Sequence, residues 1–162
     1  MNAAVAWSTL AVILVAVYIT WTAGRLDRMH ARVDAAWAAL DAQLVRRSAA
    51  ARALEIQPVT AAADAALEAD PDHRQEREND LSRALRAAWP SVPLGPKREE
   101  LAAAASRVAL ARSFHNGAVT NARALRRNRL ARLLRLAGHR EVPTFFDIEE
   151  TGFSDEAPGP LA

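Results

Sequence analysis

The sequence predicts an all-α protein in which an N-terminal transmembrane helix continues into an antiparallel helical bundle. Three observations predict it. Apolar residues make up 51% of the chain, yet Ala dominates them and aromatics reach only 6%, a composition that favours helix over strand. Residues Ala3 to Gly24 carry no charged side chain, and about 20 such residues cross a bilayer core of about 30 Å as a helix. Beyond them, apolar residues recur at alternating steps of four and three, the spacing of a helical seam. No alternating run rich in Val, Ile, Thr and aromatics marks a strand outside the N-terminal stretch, which is too long to be one.

Residues 1–24 are assigned to the anchor. Leu10, Ile13, Leu14, Val17 and Tyr18 form its membrane-spanning centre, with Trp7 near one end and Tyr18 and Trp21 near the other as an interfacial aromatic belt. A cleaved signal peptide would place basic residues before a shorter apolar run. Here Met1-Asn2 has no charged side chain, and Arg25, Arg28 and Arg32 follow the stretch instead. Basic residues flanking a span remain in the cytoplasm. The expected topology is a single pass of the cell membrane, with the N-terminus outside and the main domain cytoplasmic.

Residues 25–140 are assigned to one helical domain. No Pro interrupts the chain before Pro58, and Leu26, Val33, Trp37, Leu40 and Leu44, with His30 among them, form a bundle or coiled-coil seam. Arg47 or Ser48 interrupts it, and Ala51 and Leu54 continue it weakly. The anchor and first domain helix therefore read as one rod of roughly 50 residues, about 75 Å at 1.5 Å per residue. Pro58 marks a turn, residues 59–69 a short Ala-rich helix, and Asp70-Pro71-Asp72 a break with an acidic cap. Residues 74–89 form the next helix, turning Leu81, Leu85, Ala88 and Trp89 inward. Pro90, Pro93 and Pro96 then exclude helix from the following loop. Lys97 opens a long helix running to about Ala137 and stopped by Gly138. Leu101, Ala105, Val108, His115, Val119 and Ala122 line one side of it, widened by Leu110 and Phe114. Residues 141–162, with Phe145, Phe146 and Phe153 among acidic residues and prolines, read as an acidic, disordered tail.

The residues for chemistry are sparse. Without Cys there is neither a disulfide nor a thiolate metal site. His30, His73, His115 and His139 lack the spacing of a zinc helix, and neither a Gly-rich phosphate loop nor a nucleophile elbow is present. No catalytic residue, cofactor or metal is therefore assigned, and the chain is not expected to be an enzyme. The net charge of +2 gives no case for nucleic acid. Asp41, beside the seam, and Arg112, among the apolar positions of the long helix, form a candidate ion pair if those helices pack antiparallel. Asp34 is the alternative acid. Half-exposed, such a pair contributes 0 to about 1 kcal/mol and would serve register.

Arg126, Arg129, Arg132 and Arg135, in an Arg-rich run that also holds Arg123, Arg127 and Arg140, are candidate contacts to an anionic surface. Each adds up to about 1 kcal/mol near anionic lipid. An acidic partner, including the chain's own tail, and a plain solvated face are the alternatives. Aromatics for stacking RNA bases are missing. Lys97 is the only Lys, and this preference for Arg, with abundant Ala, suggests a GC-rich bacterial genome.

Three segments resemble the LemA family of bacterial membrane proteins. Trp37-Ala-Ala-Leu-Asp41-Ala-Gln43-Leu44-Val-Arg46-Arg47 is similar to the signature after that family's anchor. Ala111-Arg112-Ser-Phe-His-Asn116-Gly-Ala-Val119 is similar to its second signature, and Gly138-His-Arg-Glu-Val-Pro-Thr-Phe145-Phe146-Asp147 to its closing one. Order and spacing agree from the anchor to about Asp147. The chain departs from the family where Ser48-Ala-Ala-Ala-Arg-Ala-Leu54 replaces a Leu-Ile-Pro-Asn-Leu type stretch, where His115 replaces an aromatic, and near Ala122-Arg123, where the family has Tyr-Asn. Arg-rich sequence also replaces the Phe-Pro before the family's last helix. The resemblance implies a short external N-terminus, one span and a cytoplasmic antiparallel bundle, with no defined enzymatic activity.

The expected function is a non-catalytic interaction scaffold on the cytoplasmic face of a bacterial membrane. Its expected partners are the lipid bilayer, an unidentified protein and a second copy of itself. The alternative is a membrane-surface effector that binds anionic lipid through its Arg-rich helix end.

Overall fold

The computed structural model describes residues 3–126, 142–149 and Phe153. Among the described residues all regular structure is helical: α1 (Ala3–Arg52), α2 (Val59–Leu67), α3 (Arg74–Ala88), a 3₁₀ turn (Trp89–Ser91) and α4 (Pro96–Arg126). α1 runs 50 residues without a break, as the absence of Pro before Pro58 predicts. Its last turn tightens through i→i+3 bonds, Leu54 N–H to Ala51 O and Glu55 N–H to Arg52 O. Glu55 then turns the chain in the left-handed region at φ 59°.

Residues divide into two compact units, to each of which α1 and α4 contribute. The first holds the chain up to Trp37 and the residues from His115 to Phe145. Its core is small: Val33, Val119 and Ala122 are buried together, flanked by Met29 and Ala118. His30 is also buried. The N-terminal part of α1 has no such cover. Leu10, Ile13, Leu14, Val17 and Tyr18 are all exposed, and this one helix is long and apolar enough to cross a membrane.

The second unit holds the residues from Ala38 to Phe114 and those from Phe146 onward. Ala50, Ala51, Val59, Ala63, Ala66, Leu81, Leu85, Leu101 and Ala104 form its core. Five of these nine are Ala, so the backbones approach closely and the helices pack through methyl groups. Leu40 and Leu44, from the predicted seam, are fully buried.

Several expectations are corrected. Arg47 and Ser48, one of which is expected to interrupt the seam, are both buried, at 1% and 0% exposure. Pro90 and Pro96 do not lie in loop. Pro90 sits in the first turn of the 3₁₀ segment and Pro96 is the first residue of α4. First-turn N–H groups have no intrahelical partner, so Pro costs nothing there. Leu110 and Phe114 face solvent rather than widening the buried side of α4. Val142–Glu149, read from its acidic composition as part of a disordered tail, lies outside helix and strand but has Phe146 and Ile148 buried. The side chain of Leu26 and the predicted helix end from 127 to Ala137 lie outside the described residues.

Candidate functional site

Two polar constructions stand out, both in the second unit. The first lies where α1 meets α3. α3 is a strongly polar helix, yet Glu78, Leu81, Ser82 and Leu85 are all closed to solvent. Positions three and four apart share a helix face, so one stripe of α3 carries both Leu and ionisable groups inward.

Arg47 meets that stripe. Its Nη2 donates to Glu78 Oε2 at 2.6 Å and to the Glu78 carbonyl at 3.2 Å. Its Nη1 donates to Ser82 Oγ at 3.2 Å, and that hydroxyl donates in turn to the Glu78 carbonyl at 2.9 Å. Arg74 Nε stands 3.2 Å from Glu78 Oε1, and its Nη2 reaches Asp41 at 3.0 Å. The result is a line of alternating charge, Arg47–Glu78–Arg74–Asp41, neutral in sum, running from the interior to the surface. Burial pushes the Glu78 carboxyl above its ordinary range, against the pull of Arg47 and Arg74.

Arg47 also borders a cavity of about 240 Å³, with Arg112 as the other cation and Ala105, Val108, Ile148 and Phe153 on its apolar wall.

The second construction is a clamp on the C-terminal segment. Gln75, Asn79, Arg83 and Arg86 follow one another at steps of four, four and three along α3. Asp147 N–H donates to Gln75 Oε1 at 3.3 Å, and Glu149 N–H donates to Asn79 Oδ1 at 2.8 Å. Four residues of helix rise about 6 Å, and alternate residues of an extended chain advance about 6.6 Å. The two amide side chains therefore match alternate backbone N–H groups. The Glu149 carboxylate pairs with Arg83 and Arg86. From α4, Arg112 Nη1 reaches Asp147 Oδ1 at 3.2 Å and the Ile148 carbonyl at 3.3 Å. Phe153 stacks on Trp89, ring centroids 3.8 Å apart and 19° between planes. Arg98 lies over the Trp89 ring at 4.2 Å.

In the first unit, residues just before this segment are held by side chains of α4. Arg123 Nε donates to the Pro143 carbonyl at 2.8 Å, and its guanidinium lies 4.5 Å from the centre of the Phe145 ring. His115 Nε2 sits 3.3 Å from the Thr144 carbonyl, which calls for the proton on Nε2. The Trp37 and His115 rings meet at a steep angle, 61° between planes and centroids 5.5 Å apart. Burial lowers the His115 pKa, partly offset by the Thr144 carbonyl.

The residues singled out from sequence are placed as follows. Asp41 and Arg112, predicted to pair with each other, find different partners, Arg74 and Asp147. The pairing turned on what faces each residue across helices, and the spacing within either helix could not supply that. Val33, Leu40 and Leu44 are buried and Trp37 is half-buried. The Arg126 side chain and Arg129, Arg132 and Arg135 lie outside the described residues. Glu78, Arg74, Gln75, Asn79, Arg83 and Arg86 escaped sequence reading. A signal for Glu78 was available: an Arg on an apolar seam requires a buried acid, and α3 carries acids at 76, 78 and 80. Among the described residues, no group of three or more His, Cys, Asp or Glu is arranged to hold a metal.

Compared with known protein families, with curated proteins and with solved structures, the chain matches none.

Proposed function

We propose that the protein is a single-pass, membrane-anchored interaction scaffold without catalytic activity. Its N-terminus lies outside and an antiparallel helical bundle sits on the cytoplasmic face of a bacterial membrane. The observation that carries this reading is the bare girdle on α1. Val12, Ile13, Leu14 and Val15 are 68%, 53%, 60% and 55% exposed. Four consecutive residues at 100° each point around nearly the whole circumference of a helix. A partner helix covers one stripe, whereas lipid covers every side. Trp21, with Arg25 5.7 Å from its ring centre, suits the interfacial end of the span.

Support for the antiparallel arrangement comes from the first unit. Trp37 meets His115, whereas Val33, earlier on α1, packs with Val119 and Ala122, later on α4. The LemA-like reading rests on the three segments quoted above, and two of their residues, Arg47 and Arg112, bear the polar contacts of the second unit. The scaffold role is supported by Leu110 and Phe114, an exposed apolar pair at i, i+4 on α4, and by the way α3 holds an extended acidic segment.

Two measurements test the proposal. The full chain in vesicles is expected to survive alkaline carbonate washing, and release of the intact chain would overturn the anchor. A photo-crosslinking residue at 110 or 114, placed in native membranes, is expected to yield a discrete protein adduct. Equal yield from an exposed control position on another helix, such as Ala61 on α2, would overturn the scaffold role.

A further inference from the structure

The clamp on α3 recognises the C-terminal segment through side chains. Gln75 and Asn79 capture backbone N–H groups, which any residue except Pro supplies. Arg112, and Arg83 with Arg86, take acids at two alternate positions. Phe146 and Ile148 are buried between and before those acids, and Trp89 offers its ring to an aromatic four residues after the second acid. Such a surface reads a pattern: aromatic, acid, aliphatic, acid, then a later aromatic. Asp147 is 85% and Glu149 43% exposed, and Arg83 and Arg86 are about half-exposed. Ion pairs of that exposure are weak, so water and another acid can replace the charged contacts, and a competing segment must supply its own apolar residues where Phe146 and Ile148 are buried.

We infer that this face of α3 is a binding site for an extended acidic segment of a partner protein carrying the same pattern. The chain's own Phe146, Asp147, Ile148, Glu149 and Phe153 are its resident competitor. The inference deepens the scaffold reading and rests on it. A covalently linked competitor acts at an effective concentration in the millimolar range, so a partner gains access when its segment is abundant or when the resident one is loosened. Charge complementarity selects the partner: three Arg side chains on the protein face two carboxylates on the segment.

The test uses the full chain in detergent and a fluorescent peptide reproducing residues 142–153. The double variant Asp147→Lys/Glu149→Lys loosens the resident segment at two surface positions and leaves every core side chain of the helices unchanged. Peptide anisotropy is expected to show at least tenfold tighter binding to this variant than to the native chain. A peptide carrying the same two Lys should bind at least tenfold more weakly. Adding Arg83→Glu/Arg86→Glu to the variant should abolish binding of the native peptide.

Equal uptake of native and Lys-bearing peptides by the loosened chain, or no uptake with helix content unchanged, overturns the inference. So does equal binding to the loosened and native chains. A stable dimer of loosened and native chains without peptide uptake also overturns it, and points to exchange between copies. None of these results bears on carbonate retention or on crosslinking at 110 and 114, so failure here is distinct from failure of the scaffold reading.

Discussion

Arg47 donates to the Glu78 carboxylate at 2.6 Å, with the two side chains at 1% and 0% exposure. Removing two charges from water is costly, and their attraction repays this only when further hydrogen bonds complete the site. Here Ser82 and the Glu78 carbonyl supply them, and Arg74 adds a second cation beside the carboxylate. Arg47→Met and Glu78→Leu should each destabilise the second unit by about 3–5 kcal/mol, since each strands a buried charge. The double variant Arg47→Met/Glu78→Leu should recover most of that loss. A double-mutant cycle from denaturant melts checks this, and additive losses would show the two residues to be independent.

His115 provides a pH dependence with a defined sign. Burial lowers its pKa, so the folded state favours the neutral ring. The associated stability is fully present above about pH 6.5, the value of a free imidazole, and is lost as pH falls through the lower folded value. Native stability should therefore drop more steeply below pH 6.5 than that of His115→Gln. Parallel melting curves for the two proteins across that range would contradict this.

The clamp makes a residue-specific prediction for hydrogen exchange. Asn79→Ala should speed exchange at the Glu149 amide, and Gln75→Ala at the Asp147 amide, with the effect larger at Glu149 because its bond is shorter, 2.8 against 3.3 Å. Amide exchange followed by NMR or mass spectrometry reads both. Unchanged rates would mean that the two side chains do not hold the segment.

Glu55 occupies the left-handed region at φ 59°, at a steric cost of roughly 1–2 kcal/mol for an L-residue. Its only described side-chain pair is a surface contact with Lys97 at 3.9 Å. Glu55→Gly should stabilise the protein by up to about 1 kcal/mol, and Glu55→Val should destabilise it. Thermal melts of the two variants should move in opposite directions.

The helical class and the apolar N-terminal helix were legible because both are local. Composition, the uncharged run from Ala3 to Gly24 and the absence of Pro before Pro58 act within one segment. Pairing was less legible. Glu78 lies 31 positions from Arg47, and without that partner a charge at position 47 looks like the end of an apolar seam. Gln75, Asn79, Arg83 and Arg86 read as a solvated helix face, because hydrogen bonding to an extended segment needs the same residue types as hydration. Phe146 and Ile148 alternate with acids over only four residues, too short a run for a period of two to outweigh the acidic composition around it.

The abundance of Ala in the second unit's core gives its helices opposite tolerances. Trimming Leu81 or Leu85 leaves a void, and each change to Ala costs about 2–5 kcal/mol. Ala63 and Ala66 on α2 have almost nothing to trim, so enlargement is what injures them, and Val or Leu at either position forces neighbouring backbones apart. A saturation scan would find α2 vulnerable to growth and α3 to loss. Evolutionary drift in the two helices would then be confined from opposite sides of the same volume.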